Sequence, residues 1–138
     1  MVEVLVVIAI MTFFIGIGLF LSVDVYHSSL FKADADTVGV ALQRARSRAI
    51  NNINESKHGV RIETTGSTIF QGSDFVLRDA SKDEFISIGS GFSFTPAIPI
   101  DIVFERLSGE SNFNGSITIT NNTKTTTINI NNEGRIDF

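Results

Sequence analysis

The sequence has no cysteine and no tryptophan, a single tyrosine (Tyr26) and only two prolines, Pro96 and Pro99. Without cysteine there is no disulfide to staple a small fold and no thiol nucleophile, and the redox compartment cannot be read from thiol usage. Twelve Phe with no Trp read as core filling, since no interleaved aromatic pattern asks for a ligand. Basic residues are in deficit: 11 Lys and Arg face 15 Asp and Glu, a formal charge of -4, which argues against a general affinity for nucleic acid or anionic lipid. No Lys or Arg precedes the first apolar run, and no small-residue cleavage site follows it, so a secretory signal peptide is disfavoured. There is no phosphate-cradling glycine loop. His27 lies just outside the apolar run and His58 at an expected helix end, where a histidine meets solvent or the helix dipole. The expectation is a chain that is no enzyme and needs no cofactor.

What the sequence does have is a long apolar beginning. From Val4 to Val23 the only polar side chains are Thr12 and Ser22, and about twenty helical residues at roughly 1.5 Å each reach about 30 Å, enough to cross a bilayer core. Glu3, at the very start, is an ionisable group at the edge of that run and so needs a partner. Gly16 and Gly18, with Ser22 after them, weaken the helix interior by up to about 1 kcal/mol per glycine. They mark a place to bend or melt, or equally small residues that let helices pack closely.

The helical pattern continues past Asp24. Phe31, Ala35, Val38, Leu42, Ala45, Ala49 and Ile53 recur at threes and fours, one stripe of an amphipathic helix that must cover something. Asn51, Asn52 and Asn54 predict a helix end between about Ile53 and Gly59. Beyond, period-two alternation predicts strands carrying Val60/Ile62, Phe75/Leu77, Phe92/Phe94, Ile100/Ile102/Phe104, Ile117/Ile119, Ile128/Ile130 and Ile136/Phe138. The Ile pairs flanking a polar tip near 121–126 predict a hairpin. The expected architecture is α+β: one long N-terminal helix, its hydrophobic half (1–23) protruding and its amphipathic half (24–55) packed on an antiparallel β-sheet domain (56–138).

Two groups of charged residues are candidate sites. Arg44, Arg46 and Arg48 form the only basic cluster, but helical spacing puts Arg44 and Arg48 on one face and Arg46 on another, so it is divided. Asp79, Asp83 and Glu84 offer oxygens to a hard cation such as calcium, without EF-hand spacing, and read better as a solvated loop; no metal site is assigned. Asn54, Asn114 and Asn121 each begin an Asn-x-Ser/Thr triplet, a short pattern that also arises by chance.

The segment MVEVLVVIAIMTFF resembles the amino terminus of processed type IV pilins and type II secretion pseudopilins. VGVALQRARSRAI (Val38 to Ile50), IVFERLSGESNFNGSITI (Ile102 to Ile119) and NNEGRIDF (Asn131 to Phe138) resemble the minor pseudopilin branch often labelled GspH/FimT. The resemblance implies a structural subunit, major or minor, of a type IV pilus or secretion-type filament built by packing N-terminal helices in its core. It implies that Glu3 pairs with the amino terminus (Met1) of a neighbouring subunit, and that the helix opens between about Gly16 and Ser22. The implied partners are further copies, other pilins or pseudopilins, a prepilin peptidase, an inner-membrane assembly platform and, before assembly, the membrane itself. The implied location is the inner or cytoplasmic membrane as a single-pass precursor, then an extracellular or periplasmic bacterial filament. The family places its glutamate two residues further from the cleaved end, so the first residue is expected to belong to a shortened processed form or to be an internal Met. Two other readings stand beside the first: a competence pilin that takes up DNA through Arg44, Arg46 and Arg48, and a membrane-anchored ligand-binding domain.

Overall fold

A computed structural model describes the backbone of residues 1–121 and 124–138, and the side chains of these apart from 18–27. The chain divides into two compact units, Met1–Lys32 and Ala33–Phe138. Helix α1 is assigned Val2–Ile50, and its described side chains fall in two stretches, 2–17 and 28–50. Glu3 in its first turn and Arg48 in its last both complement the helix dipole.

The second stretch follows its apolar spacing. Phe31, Ala35, Val38, Leu42, Ala45 and Ala49 are all buried, as is Ala41, whereas Ile53 is exposed. The reason for the exception is that α1 ends at Ile50, earlier than the asparagines suggest. Asn52 adopts φ 51°, ψ 39°, a left-handed conformation that closes helices, and the Ala49 carbonyl accepts both from the Asn52 amide in the closing turn and from the Leu107 amide, each at 3.0 Å. His58 differs from expectation too. It is buried, and its Nε2 lies 3.0 Å from the Ile53 carbonyl, which requires that nitrogen to carry the proton.

Among the described residues eight strands follow: β1 (His58–Glu63), β2 (Gly66–Gln71), β3 (Glu84–Ser87), β4 (Ser93–Thr95), β5 (Ile100–Phe104), β6 (Gly115–Thr120), β7 (Thr125–Ile130) and β8 (Ile136–Asp137). All pairings are antiparallel. They form two four-stranded sheets, β3-β2-β1-β5 and β4-β6-β7-β8. This corrects the expected architecture: α+β holds in general terms, but two sheets replace the single one, and a helix laid upon a sheet is not what the structure shows. Pairing partners are set by contacts remote in sequence, which period-two alternation does not encode.

Two local expectations also change. Phe75 and Leu77 belong to no strand, and β2 and β3 stand where no alternation marked them. β2 lies between β1 and β3 and buries Gly66, Ser67, Ile69 and Phe70, so both of its faces are covered and a period of two disappears. The hairpin of β6 and β7 falls where expected but in a tighter register: Ile117 opposes Ile128, Ile119 opposes Thr126 and Ile130 opposes Gly115, and of the expected tip, residues 122 and 123 lie outside the described ones.

Candidate assembly surface

The first helical stretch is apolar all round. Thirteen large apolar side chains between Met1 and Ile17 are exposed, from 44% at Ile17 to 103% at Met1. The one hydroxyl among them turns inward on its own helix: Thr12 Oγ1 donates to the carbonyls of Ile8 (2.9 Å) and Ala9 (3.0 Å). What remains polar is Glu3, exposed in the first turn. A helix hydrophobic on every face belongs in an interior, and removing such side chains from water contributes roughly 25 cal/mol per Å².

Among the described residues no helix is long and apolar enough to cross a membrane. The expected single-pass precursor location is therefore corrected and carried no further. Of the expected break, Gly16 has nothing within 4 Å of where a Cβ would stand, while Gly18 and Ser22 lie outside the described side chains.

The structure separates the three arginines. Arg44 and Arg48 both pair with Glu84 at the start of β3, so one carboxylate offsets two guanidiniums. Arg46 faces elsewhere and donates to the carbonyls of Gly109 (3.4 Å) and Glu133 (3.1 Å). It borders an open recess of about 410 Å³, lined also by Ser47, Ile50, Arg135 and Ile136. Sequence reasoning missed this recess, because residues 43–51 at the end of α1 and residues 135–136 at the entry to β8 meet only through tertiary folding. It missed Glu84 as the counter-charge for the same reason.

The three acidic residues considered for a cation have separate tasks. Asp83 Oδ2 accepts from Arg78 Nε at 2.7 Å, Glu84 holds the two arginines, and Asp79 caps the short turn Ala80–Lys82 by accepting from the Ser81 amide at 3.0 Å and its hydroxyl at 2.7 Å. These bonds, with a smaller contribution from the Lys82 charge, hold the Asp79 carboxyl below the usual range. Among the described residues no group of three or more His, Cys, Asp or Glu is placed to hold a metal ion.

Comparison with protein-family models, curated proteins and solved structures finds no match to this chain. The pilin resemblance therefore rests on the sequence segments alone.

Proposed function

We propose that this chain is the structural subunit of a helical filament in which the apolar helical stretches of many copies pack against one another. The observation that carries the reading is the all-round exposure of apolar side chains over residues 2–17. Copies of the same stretch are the simplest cover, and head-to-tail contacts that do not close into a ring generate an open filament. Glu3 then sits where its charge is withdrawn from water, and the amino group of Met1 on an adjacent copy is its counter-charge. An unpaired acid in that position is strongly penalised, so the pairing selects the axial register.

The test is purification of the full chain and its Glu3→Ala variant, followed by electron microscopy of the assembled material. The wild type is expected to give fibres of uniform width and the variant a yield lower by tenfold or more. Equal yields refute the role of Glu3, and a wild type that never passes beyond a small closed oligomer refutes the filament. DNA uptake gains no comparable support, because Arg44 and Arg48 are already held by Glu84.

A further inference from the structure

A second surface lies wholly within Ala33–Phe138. The loop after β2 carries Val76 at 86% exposure and Leu77 at 77%, an apolar pair placed in water on a loop that is firmly braced. Asp74 Oδ1 accepts from the amides of Val76 and Leu77, both at 2.8 Å. The Phe75 ring packs edge-on to Phe70 at 5.4 Å between centroids and is approached by Arg61 at 4.3 Å and Arg78 at 3.5 Å. Arg78 ties the Phe75 carbonyl (2.6 Å) to Asp83 (2.7 Å), and the Asp79 amide returns to the Gln71 carbonyl. The loop is thus a fixed apolar knob flanked by two acids, Asp74 and Asp79, neither of which takes part in an ion pair among the described residues.

The recess beside Arg46 has the opposite character. Ile50 and Ile136 supply apolar wall, and Arg46 and Arg135 supply positive charge. Arg46 contacts carbonyls and is in no ion pair among the described residues. Arg135 has an exposed partner in Asp137, a pair that water screens. The recess, about 410 Å³, falls in the range of roughly 300–1,000 Å³ typical of binding sites.

We propose that the knob, residues 74–79, of one copy docks in the recess of the next. Apolar pair meets apolar wall and acids meet guanidiniums, the complementarity that fixes partner and orientation. The knob cannot turn back into its own recess, because Phe70, Arg61 and Asp83 pin it beside β2 and β3, while the recess is built from α1 and β8. Knob and recess are different patches, so the contact is heterologous and strings copies into an open row. It does not depend on the apolar helical stretch, and it supplies the filament reading with a contact between bodies.

The absence of cysteine makes the test clean. The full chain carrying Leu77→Cys and Ser47→Cys, both at exposed positions, is treated with a short bis-maleimide and run on a denaturing gel. A ladder of dimers, trimers and higher species is expected, whereas a mixture of the two single variants stops at dimers. Adding Val76→Asp to the double variant is expected to abolish the ladder. A control pairing Leu77→Cys with Ser116→Cys, exposed on β6, gives the background. A ladder no stronger than that background, or one that survives Val76→Asp, overturns the contact. Fibres without the ladder sink this contact alone, and the ladder without fibres sustains it while the filament reading fails.

Discussion

The stretch 2–17 and the body 33–138 treat apolar side chains in opposite ways. In the body, Leu42, Val60, Ile62, Ile69, Ile102, Phe104, Ile117 and Ile128 are fully withdrawn from solvent; in the stretch, residues of the same types stand at half exposure or more almost throughout. The body buries apolar side chains of both sheets and, from α1, Ala35, Val38, Leu42, Ala45 and Ala49. The stretch closes nothing, having no polar face to turn outward. On the filament reading, stability of the fold rests with the body and packing in the filament core with the stretch, so a substitution in the stretch should leave the body's stability unchanged.

The sharpest way to break that division is to exchange the insults. Phe104→Ala empties a fully buried site, and loss of a core phenylalanine costs about 3–5 kcal/mol; urea titration followed by circular dichroism should show the midpoint fall accordingly. Ile8→Asp, at a residue 54% exposed, should leave that midpoint within about 0.5 kcal/mol while fibre yield collapses. If Ile8→Asp destabilises the body as Phe104→Ala does, the two segments are one cooperative unit and the division is wrong.

A smaller effect is expected where the body's own loops meet. Gly134 has φ +73°, and a Cβ there would press on the Gly109 carbonyl oxygen and the Arg46 side chain. Gly134→Ala therefore combines a left-handed backbone penalty with a steric one, about 1–3 kcal/mol, read in the same urea titration. The recess beside Arg46 should open with it, since Glu133, the neighbouring residue, supplies the carbonyl that holds the guanidinium. An unchanged midpoint would show that the turn relaxes freely and is no fixed wall.

The residues themselves show what was legible beforehand. Helical spacing is short-range and strict, so the stripe from Phe31 to Ala49 and the separation of Arg46 from Arg44 and Arg48 were available from the sequence. Alternation marked β1, β4, β5, β6, β7 and β8, although β5 buries Ile102, Val103 and Phe104 in succession. It failed at β2, buried on both faces, and it marked a false strand at Phe75/Leu77, where one side chain anchors a loop and the other projects from it. The division into two sheets, the recess and the Glu84 counter-charge all require residues tens of positions apart to meet, and no local period carries that information. The apolar run was legible as unusual, and its expected reading as a membrane span is not shown, since among the described residues no helix is long and apolar enough to cross a membrane.

Glu84 offers a finer probe of the body's surface. Its carboxylate serves Arg44 and Arg48, whose side chains are 52% and 27% exposed, and exposed pairs contribute about 0–1 kcal/mol. Glu84→Gln should lower stability by no more than that, with the difference shrinking in high salt. The same variant frees two guanidiniums, so a gel shift with duplex DNA across a salt series tests whether charge alone creates binding. Steeply salt-dependent binding in the wild type would restore the uptake reading.

The smallest effect belongs to Asp79, and its sign is fixed by the turn it caps. Hydrogen bonds from the Ser81 hydroxyl and amide favour the charged carboxylate, so its folded pKa lies below the unfolded value of about 3.9. A group depressed in this way contributes stability that is fully present above the unfolded pKa and is lost as pH falls through the folded one. Wild type and Asp79→Ala should therefore differ most above about pH 4 and converge below it. The carboxyl carbon shift of Asp79, followed by nuclear magnetic resonance, should titrate with a midpoint under the usual aspartate value, and Ser81→Ala should move that midpoint back up. A midpoint at the ordinary value would mean that the cap is open in solution, and with it one edge of the knob that carries Val76 and Leu77.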